Sequence, residues 1–153
     1  RITLKDNALV ESLIRNVMTE MGACGEGFAI HDPEVKDMFS AYQGPRSVYY
    51  VIEQDGHILG GGGVAPLVGE ENICELRKMY FRPELRGKGM GKKLMRQCND
   101  DAKQMGYVRC YLETLTSMTV AQSLYQKDGF EKLCKPLGAT GHFGCDTWYA
   151  KNL

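Results

Sequence analysis

The sequence predicts an α/β fold built on one central sheet. Three observations carry that expectation. Strand-like runs alternate with stretches of helical apolar spacing in the second half of the chain. In the first half, the turn signal Gln54-Asp55-Gly56-His57 joins two strand-like runs into a hairpin. Between them, the stretch 75–95 reads as strand, tight glycine turn and helix without a break.

With 153 residues, 43% of them hydrophobic and 25% charged, the chain suits one domain, 1–153, with a substantial core. Its formal net charge is zero, which argues against nucleic acid or an anionic membrane surface as a partner. No apolar run approaches the roughly 20 residues of a membrane span, and no signal peptide is visible, so a cytoplasmic protein is expected. The chain opens at Arg1 without a Met, which leaves room for further N-terminal sequence. Cys24, Cys74, Cys98, Cys110, Cys134 and Cys145 show no Cys-x-x-Cys spacing. Reduced, mostly buried thiols are expected rather than a disulfide framework or a metal site.

Taken in order, residues 2–4 read as a short first strand. Asp6 stands where it can cap a helix whose apolar positions are Leu9, Leu13, Ile14, Val17, Met18 and Met21, ended by Gly22. Asp32-Pro33-Glu34 has the form of a cap with proline at the first helical position, and Val35, Met38, Phe39 and Tyr42 supply an apolar face. Residues 47–53 and 58–67 form the hairpin. Its second strand carries Gly60-Gly61-Gly62-Gly63, which permits either close strand packing or a ligand's approach to bare backbone. Residues 73–81 are the central strand. Met90, Leu94, Met95, Cys98, Ala102 and Met105 give the next helix one buried stripe up to Gly106. A strand follows at 108–113. Thr116 or Ser117 caps a helix ending at Lys127, with Val120, Ala121, Leu124 and Tyr125 facing inward. Strands at 130–134 and 147–151 flank a glycine-rich loop at 136–144. His31 and His57 fall in loops or turns and are read as solvated.

The turn Arg86-Gly87-Lys88-Gly89-Met90-Gly91 is the strongest functional signal. Alternating glycines let the backbone curl with its N–H groups in one concavity, and the following helix adds its positive end. Eight Lys and Arg residues lie between Glu75 and Arg96 against two acids, Glu75 and Glu84, so an anion site is expected, most simply for a pyrophosphate. A Walker loop does not fit, because Gly91-Lys92 is followed by Lys93 rather than Ser or Thr. A dinucleotide fingerprint does not fit either: the spacing is Gly-x-Gly-x-Gly, and no acid closes a strand at the required distance.

The stretch instead resembles the signature of the GCN5-related N-acetyltransferases (GNAT), Arg/Gln-x-x-Gly-x-Gly/Ala. Its lead-in Met79-Tyr80-Phe81-Arg82-Pro83 is similar to the family's, and Ala121-Gln122-Ser123-Leu124-Tyr125-Gln126-Lys127-Asp128-Gly129-Phe130 resembles a second family block. The Gly138 to His142 ending resembles that of small bacterial acetyltransferases of the family. The resemblance implies a GNAT fold: a mixed, mostly antiparallel twisted sheet of about six to seven strands with about four helices. It also implies acetyl-CoA as acetyl donor. Arg86, Gly87, Lys88, Gly89, Met90, Gly91 and Lys92 would hold its pyrophosphate, and Met79, Tyr80 and Phe81 would run beside the pantetheine arm through their main chain. Family members are often homodimers. One position departs from the pattern: Met118 stands where many members carry an Asn that bonds the pantetheine.

Acetyl transfer needs a neutral amine, and a lysine-like amine of pKa about 10.4 is neutral in only about one molecule in 2,500 at pH 7. Glu75, four residues before Met79, is assigned as the base and is expected on the same strand face as Met79 and Phe81. By the resemblance, Tyr125 is the acid that protonates the leaving thiolate. Glu113 and His142 are assigned to the acceptor, a small-molecule or amino-acid-like amine. Glu113 is the alternative base. Protein acetylation and a non-catalytic coenzyme A sensor are the competing readings.

Overall fold

The computed structural model describes all residues, 1–153. Its sheet has six strands: β1 (Val48–Gln54), β2 (His57–Pro66), β3 (Ile73–Phe81), β4 (Arg109–Thr114), β5 (Glu131–Leu133) and β6 (Thr147–Asn152), in the spatial order β1-β2-β3-β4-β6-β5. Only β3 and β4 run parallel. The expected mixed, mostly antiparallel sheet is therefore present. Four α-helices accompany it: α1 (Asn7–Glu20), α2 (Met38–Ala41), α3 (Met90–Gln104) and α4 (Thr119–Lys127).

Two cores lie on opposite faces. Val10, Leu13, Ile14, Val17 and Met18 of α1 pack with Tyr49, Ile58 and Ala65 on one face. Leu94, Met95, Cys98 and Ala102 of α3 and Tyr125 of α4 pack with Val64, Leu76, Cys110, Leu112 and Tyr149 on the other. The four consecutive glycines serve packing rather than a ligand. A Cβ at Gly60 would meet Phe81 and Leu85, at Gly61 the Tyr49 ring, at Gly62 Leu94 and Met79, and at Gly63 the Val48 carbonyl.

Several local expectations are corrected. There is no first strand at 2–4; Ile2 makes one backbone bond to the Tyr49 carbonyl (2.9 Å) before a 3-10 turn at Leu4–Asp6. The Asp6 carboxylate is held by Thr3, through its N–H and hydroxyl at 2.7 and 2.8 Å, and does not cap α1. The second helix splits into a 3-10 turn, Pro33–Lys36, and the single turn α2, capped by Asp37 rather than Asp32. Leu9, Met21 and Val120 are exposed rather than buried in the core. Neither Thr116 nor Ser117 caps α4, whose N-cap is Met118 without a side-chain bond. Cys74, Cys98 and Cys110 are buried as expected, but Cys24 and Cys134 are exposed; all six thiols are free.

The feature that positions the site is a break in pairing. The parallel pair holds only from Ile73, Cys74 and Glu75 to Arg109, Cys110 and Tyr111. Beyond that, β3 stays on β2 as far as Phe81 and β4 stays on β6 as far as Thr114, so the two strands part. Lys78 adopts φ +50°, and the β2–β3 register shifts between Gly61 and Gly63. This is a β-bulge, which bends the strand carrying it. The Lys78 carbonyl accepts a bond from the buried Tyr49 hydroxyl (2.9 Å).

A clash with backbone cannot be relieved by a side-chain rotation, so Gly63→Ala is expected to cost about 2–3 kcal/mol. Gly62→Ala, whose Cβ would lie 3.2–3.3 Å from Leu94 and Met79, is expected to cost less. Urea denaturation of both variants checks this; equal losses would contradict the packing account.

Candidate active site

The gap between β3 and β4 opens into a cleft of about 900 Å³. Its lining includes Glu75, Met79, Tyr80, Phe81, Arg86, Gly87, Gly89, Met90, Gly91, Lys92, Glu113, Tyr125 and His142. Of the residues singled out from the sequence, only Lys88 is not in that lining. Ser117, Met118 and Thr119 line it too, at the position of the motif departure.

At one end sits the glycine turn. Gly87 and Gly89 have φ of +73° and +75°, which a residue with a Cβ adopts only with strain. The N–H groups of residues 87–92 find no acceptor in the chain; the first occupied one is that of Lys93, bonded to the Gly89 carbonyl. Six consecutive free N–H groups at the head of a 15-residue helix form a strong anion cradle. These residues fit the expected pyrophosphate. The Arg86 side chain turns away from the cradle. Its Nε donates to the Phe81 carbonyl (2.9 Å), and its other nitrogens pair with both Glu20 oxygens at 2.6 and 2.7 Å, tying the turn to the end of α1.

Along the gap, Arg82 N–H donates to the Leu59 carbonyl (2.8 Å). The adjacent pair, Phe81 with Gly60, is therefore a non-hydrogen-bonded one, and Phe81 turns its polar groups toward the gap. With the carbonyl taken by Arg86, its N–H is left for a ligand.

Glu75 is not on the face carrying Met79 and Phe81. Leu76, Met79 and Phe81 pack with the α3–α4 core, whereas Tyr80 packs with the α1 core. Lys78, which strict alternation would send to the Leu76 side, reaches Asp32 and Glu34 instead. The bulge thus flips the alternation after Arg77. Glu75 and Glu113 face the α1 side, and Tyr125 sits across the gap on the other. The base and acid assigned from the sequence flank the gap from opposite faces of the sheet.

Glu75 is only 4% exposed, and its Oε2 accepts from Arg77 Nε at 2.6 Å. Its Oε1 has no partner in the chain. Burial raises its pKa; Arg77 opposes this in part, and the charge of Glu113 adds to the rise. Glu113 is differently placed: Tyr111 donates to its Oε1 (2.6 Å) and Thr140 to its Oε2 (3.0 Å). His142 bridges Asp32, at 3.1 Å from Nε2, and Glu113, at 3.5 Å from Nδ1. The hydrogen bonds to Asp32 and Glu113 push its pKa up to about 9, against burial. Burial raises the pKa of Asp32, but His142 and Lys78 prevail and hold it low. Tyr125 is buried against Phe130 and Tyr149, its hydroxyl makes no bond in the chain, and burial pushes its pKa up to about 12. Cys145 lines the same end with its thiol pushed up to about 12 by burial, so it is no ready nucleophile.

Sequence reasoning missed Asp32, Lys78, Tyr111 and Thr140 as parts of this array. Asp32 had a local explanation as a cap, Lys78 and Tyr111 carry no motif, and Thr140 stands in the Gly138 to His142 ending, which assigned it no role.

Residues 14–130 match the family model described as Acetyltransferase (GNAT) family. The chain belongs to that family and is therefore an acyltransferase. Over its whole length it is 43% identical to YjgM of Escherichia coli, described as an uncharacterised N-acetyltransferase, of which it covers 93%. A GNAT-family acetyltransferase structure from Staphylococcus aureus covers 99% of this chain and 95% of its own, with a TM-score of 0.85 at 19% identity. The PaiA N-acetyltransferase of Thermoplasma acidophilum, solved with coenzyme A, covers 99% and 96%, with a TM-score of 0.73 at 18% identity. Both likenesses are of fold.

His142 offers a direct test of the array. Its pKa lies above the ordinary 6.5, so its contribution to stability is complete below pH 6.5 and is lost as pH rises through about 9. Stability of the intact chain is expected to fall across that window relative to His142→Gln, measured by denaturant unfolding at several pH values. Parallel profiles would contradict the pairing.

Proposed function

We propose that residues 1–153 form a single catalytic domain that transfers an acetyl group directly from acetyl-CoA to the primary amine of a small molecule, within the cytoplasm. Glu75 is the base and Tyr125 the acid. The observation that carries this reading is the unpaired Oε1 of Glu75, buried in the cleft across the gap from a Tyr125 hydroxyl that is also unpaired.

When bound, acetyl-CoA supplies a thioester carbon open to attack and a sulfur that leaves as thiolate. The residues divide the remaining work. The free N–H groups of residues 87–92 bind the pyrophosphate and fix the depth of the coenzyme in the gap. Glu75 takes a proton from the ammonium of the acceptor at Oε1, directly or through one water. Its raised pKa makes it a stronger base than an exposed glutamate. Tyr125 stays protonated throughout the neutral range and can donate its hydrogen to the departing sulfur. Glu113, with both oxygens already accepting, orients His142 and the 136–144 loop and is the weaker candidate for the base.

A small acceptor is supported over a protein by the loops at this end. Phe28 lies over Gly144 and Phe143 over Gly27, so close that a Cβ on either glycine would strike the ring. Gly144 N–H donates to the Gly27 carbonyl (3.1 Å), and Asp32 bonds His142 beside them. This clasp narrows access for a folded chain. A coenzyme A sensor is disfavoured because both assigned catalytic groups face the cleft.

Glu75→Gln is expected to lower kcat about 100-fold or more and to abolish the acidic limb of the pH–rate profile. Tyr125→Phe is expected to lower kcat with little change in coenzyme A affinity. Initial rates of thiol release and calorimetric titration check both. An acidic limb that survives in Glu75→Gln would move the role to Glu113, His142 or water.

A further inference from the structure

The acceptor end of the cleft carries an unusual charge inventory. Four carboxylates belong to its charge array: Glu75 and Glu113 line the cleft, and Asp32 and Glu34 stand behind Lys78 and His142. Three cations answer them, and each is already committed. Arg77 holds Glu75 at 2.6 Å and the Pro66 carbonyl at 2.9 Å. Lys78, with its side chain 2% exposed, lies between Asp32 at 2.5 Å and Glu34 at 2.7 Å. His142 lies between Asp32 and Glu113. With the imidazole protonated, the set retains one net negative charge; of its two unpaired oxygens, Glu34 Oε2 lies outside the cleft lining, and the one on the cleft is an acceptor, Glu75 Oε1.

The walls beside this set are apolar. Val17, Met18, Met21, Phe28 and Leu115 line the cleft. All of these but Met21 belong to or pack on the α1-side core, the face toward which Glu75 points. A ligand here meets one free carboxylate oxygen, an aliphatic and aromatic wall, and no cation without a carboxylate partner.

We infer that the acceptor is a primary alkyl- or arylalkylamine with no carboxylate on the carbon bearing the amine, and not an α-amino acid. This deepens the reading of the cleft as an acetyl-transfer site and rests on it. An ammonium group gains from Oε1 and the surplus negative charge. A carboxylate one carbon away would be buried beside Glu75 and Glu113, with the cations that line the cleft there already taken, a placement that costs far more than it returns. Most of the acceptor's remaining surface is apolar, to match the wall.

Matched acceptors test this with the intact protein and acetyl-CoA. Phenethylamine is compared with phenylalanine and phenylalaninamide, and tryptamine with tryptophan and tryptophanamide, by initial rates of thiol release. The amine of each set is expected to exceed its amino acid by about 100-fold or more in kcat/KM, with the neutral amide close to the amine. The amide separates charge from bulk: an amide as poor as the amino acid overturns the charge argument. An amino acid used as well as its amine overturns the inference while leaving acetyl transfer to a small amine standing. No turnover of any member, with acetyl-CoA bound, overturns both. A second variant addresses the cause. Asp32→Asn removes the anion shared by Lys78 and His142, and the amine-to-acid ratio is expected to narrow by about tenfold. An unchanged ratio in a folded variant overturns the role given to the committed cations.

Discussion

Everything functional in this molecule depends on β3 leaving β4 after Glu75. Two parallel strands that stayed paired would fill the sheet with hydrogen bonds and leave no gap. Here each strand keeps its outer neighbour and loses its inner one, β3 holding β2 and β4 holding β6. The bulge at Lys78 accompanies the separation and re-aims the side chains around it. A strained left-handed lysine in a central strand is costly, and the structure holds it from several sides: Tyr49 bonds its carbonyl, and Asp32 and Glu34 bind its ammonium. The same residue therefore shapes the backbone and anchors the acid array.

That array is a balance of buried charges. Isolated carboxylates at this depth would be neutralised by proton uptake. Arg77, Lys78 and His142 are set among them, and the oxygen left without a donor on the cleft lining belongs to Glu75. Burial raises the pKa of Glu75, and the free edge of its carboxylate points into the cleft. At the opposite end of the cleft the requirement is reversed. There the backbone supplies unpaired donors, and the Arg86–Glu20 pair fixes the turn that carries them. The cleft thus carries unpaired backbone donors at one end and an unpaired carboxylate acceptor at the other.

Much of this was legible in the sequence. The bounds of β3 and the glycine turn with its helix were readable because glycine spacing, Pro83 and apolar periodicity are strong local signals. The two motif blocks gave the family and, through it, Tyr125. The facing of Glu75 was not legible: Lys78 has no sequence mark of a left-handed bulge, as a glycine would have, and simple alternation put Glu75 on the wrong face. Asp32-Pro33 reads locally as a helix cap, yet a lysine 46 residues away takes that carboxylate. Long-range pairing leaves no periodic trace, which is why the Lys78–Asp32 ion pair and the Thr140 hydrogen bond to Glu113 emerge only once the chain is folded. Val120 failed for a related reason: helical spacing set its face, but that helix borders an open cleft rather than a filled core.

The central claim is that the unpaired N–H groups of residues 87–92 and the parted strands together form the coenzyme site. The most direct test follows backbone amide resonances of the isotope-labelled protein during titration with coenzyme A. The account predicts large shifts and slowed hydrogen exchange at residues 87–92, together with the Phe81 amide. Saturable binding that leaves those amides unmoved, with shifts elsewhere in the chain, would contradict it.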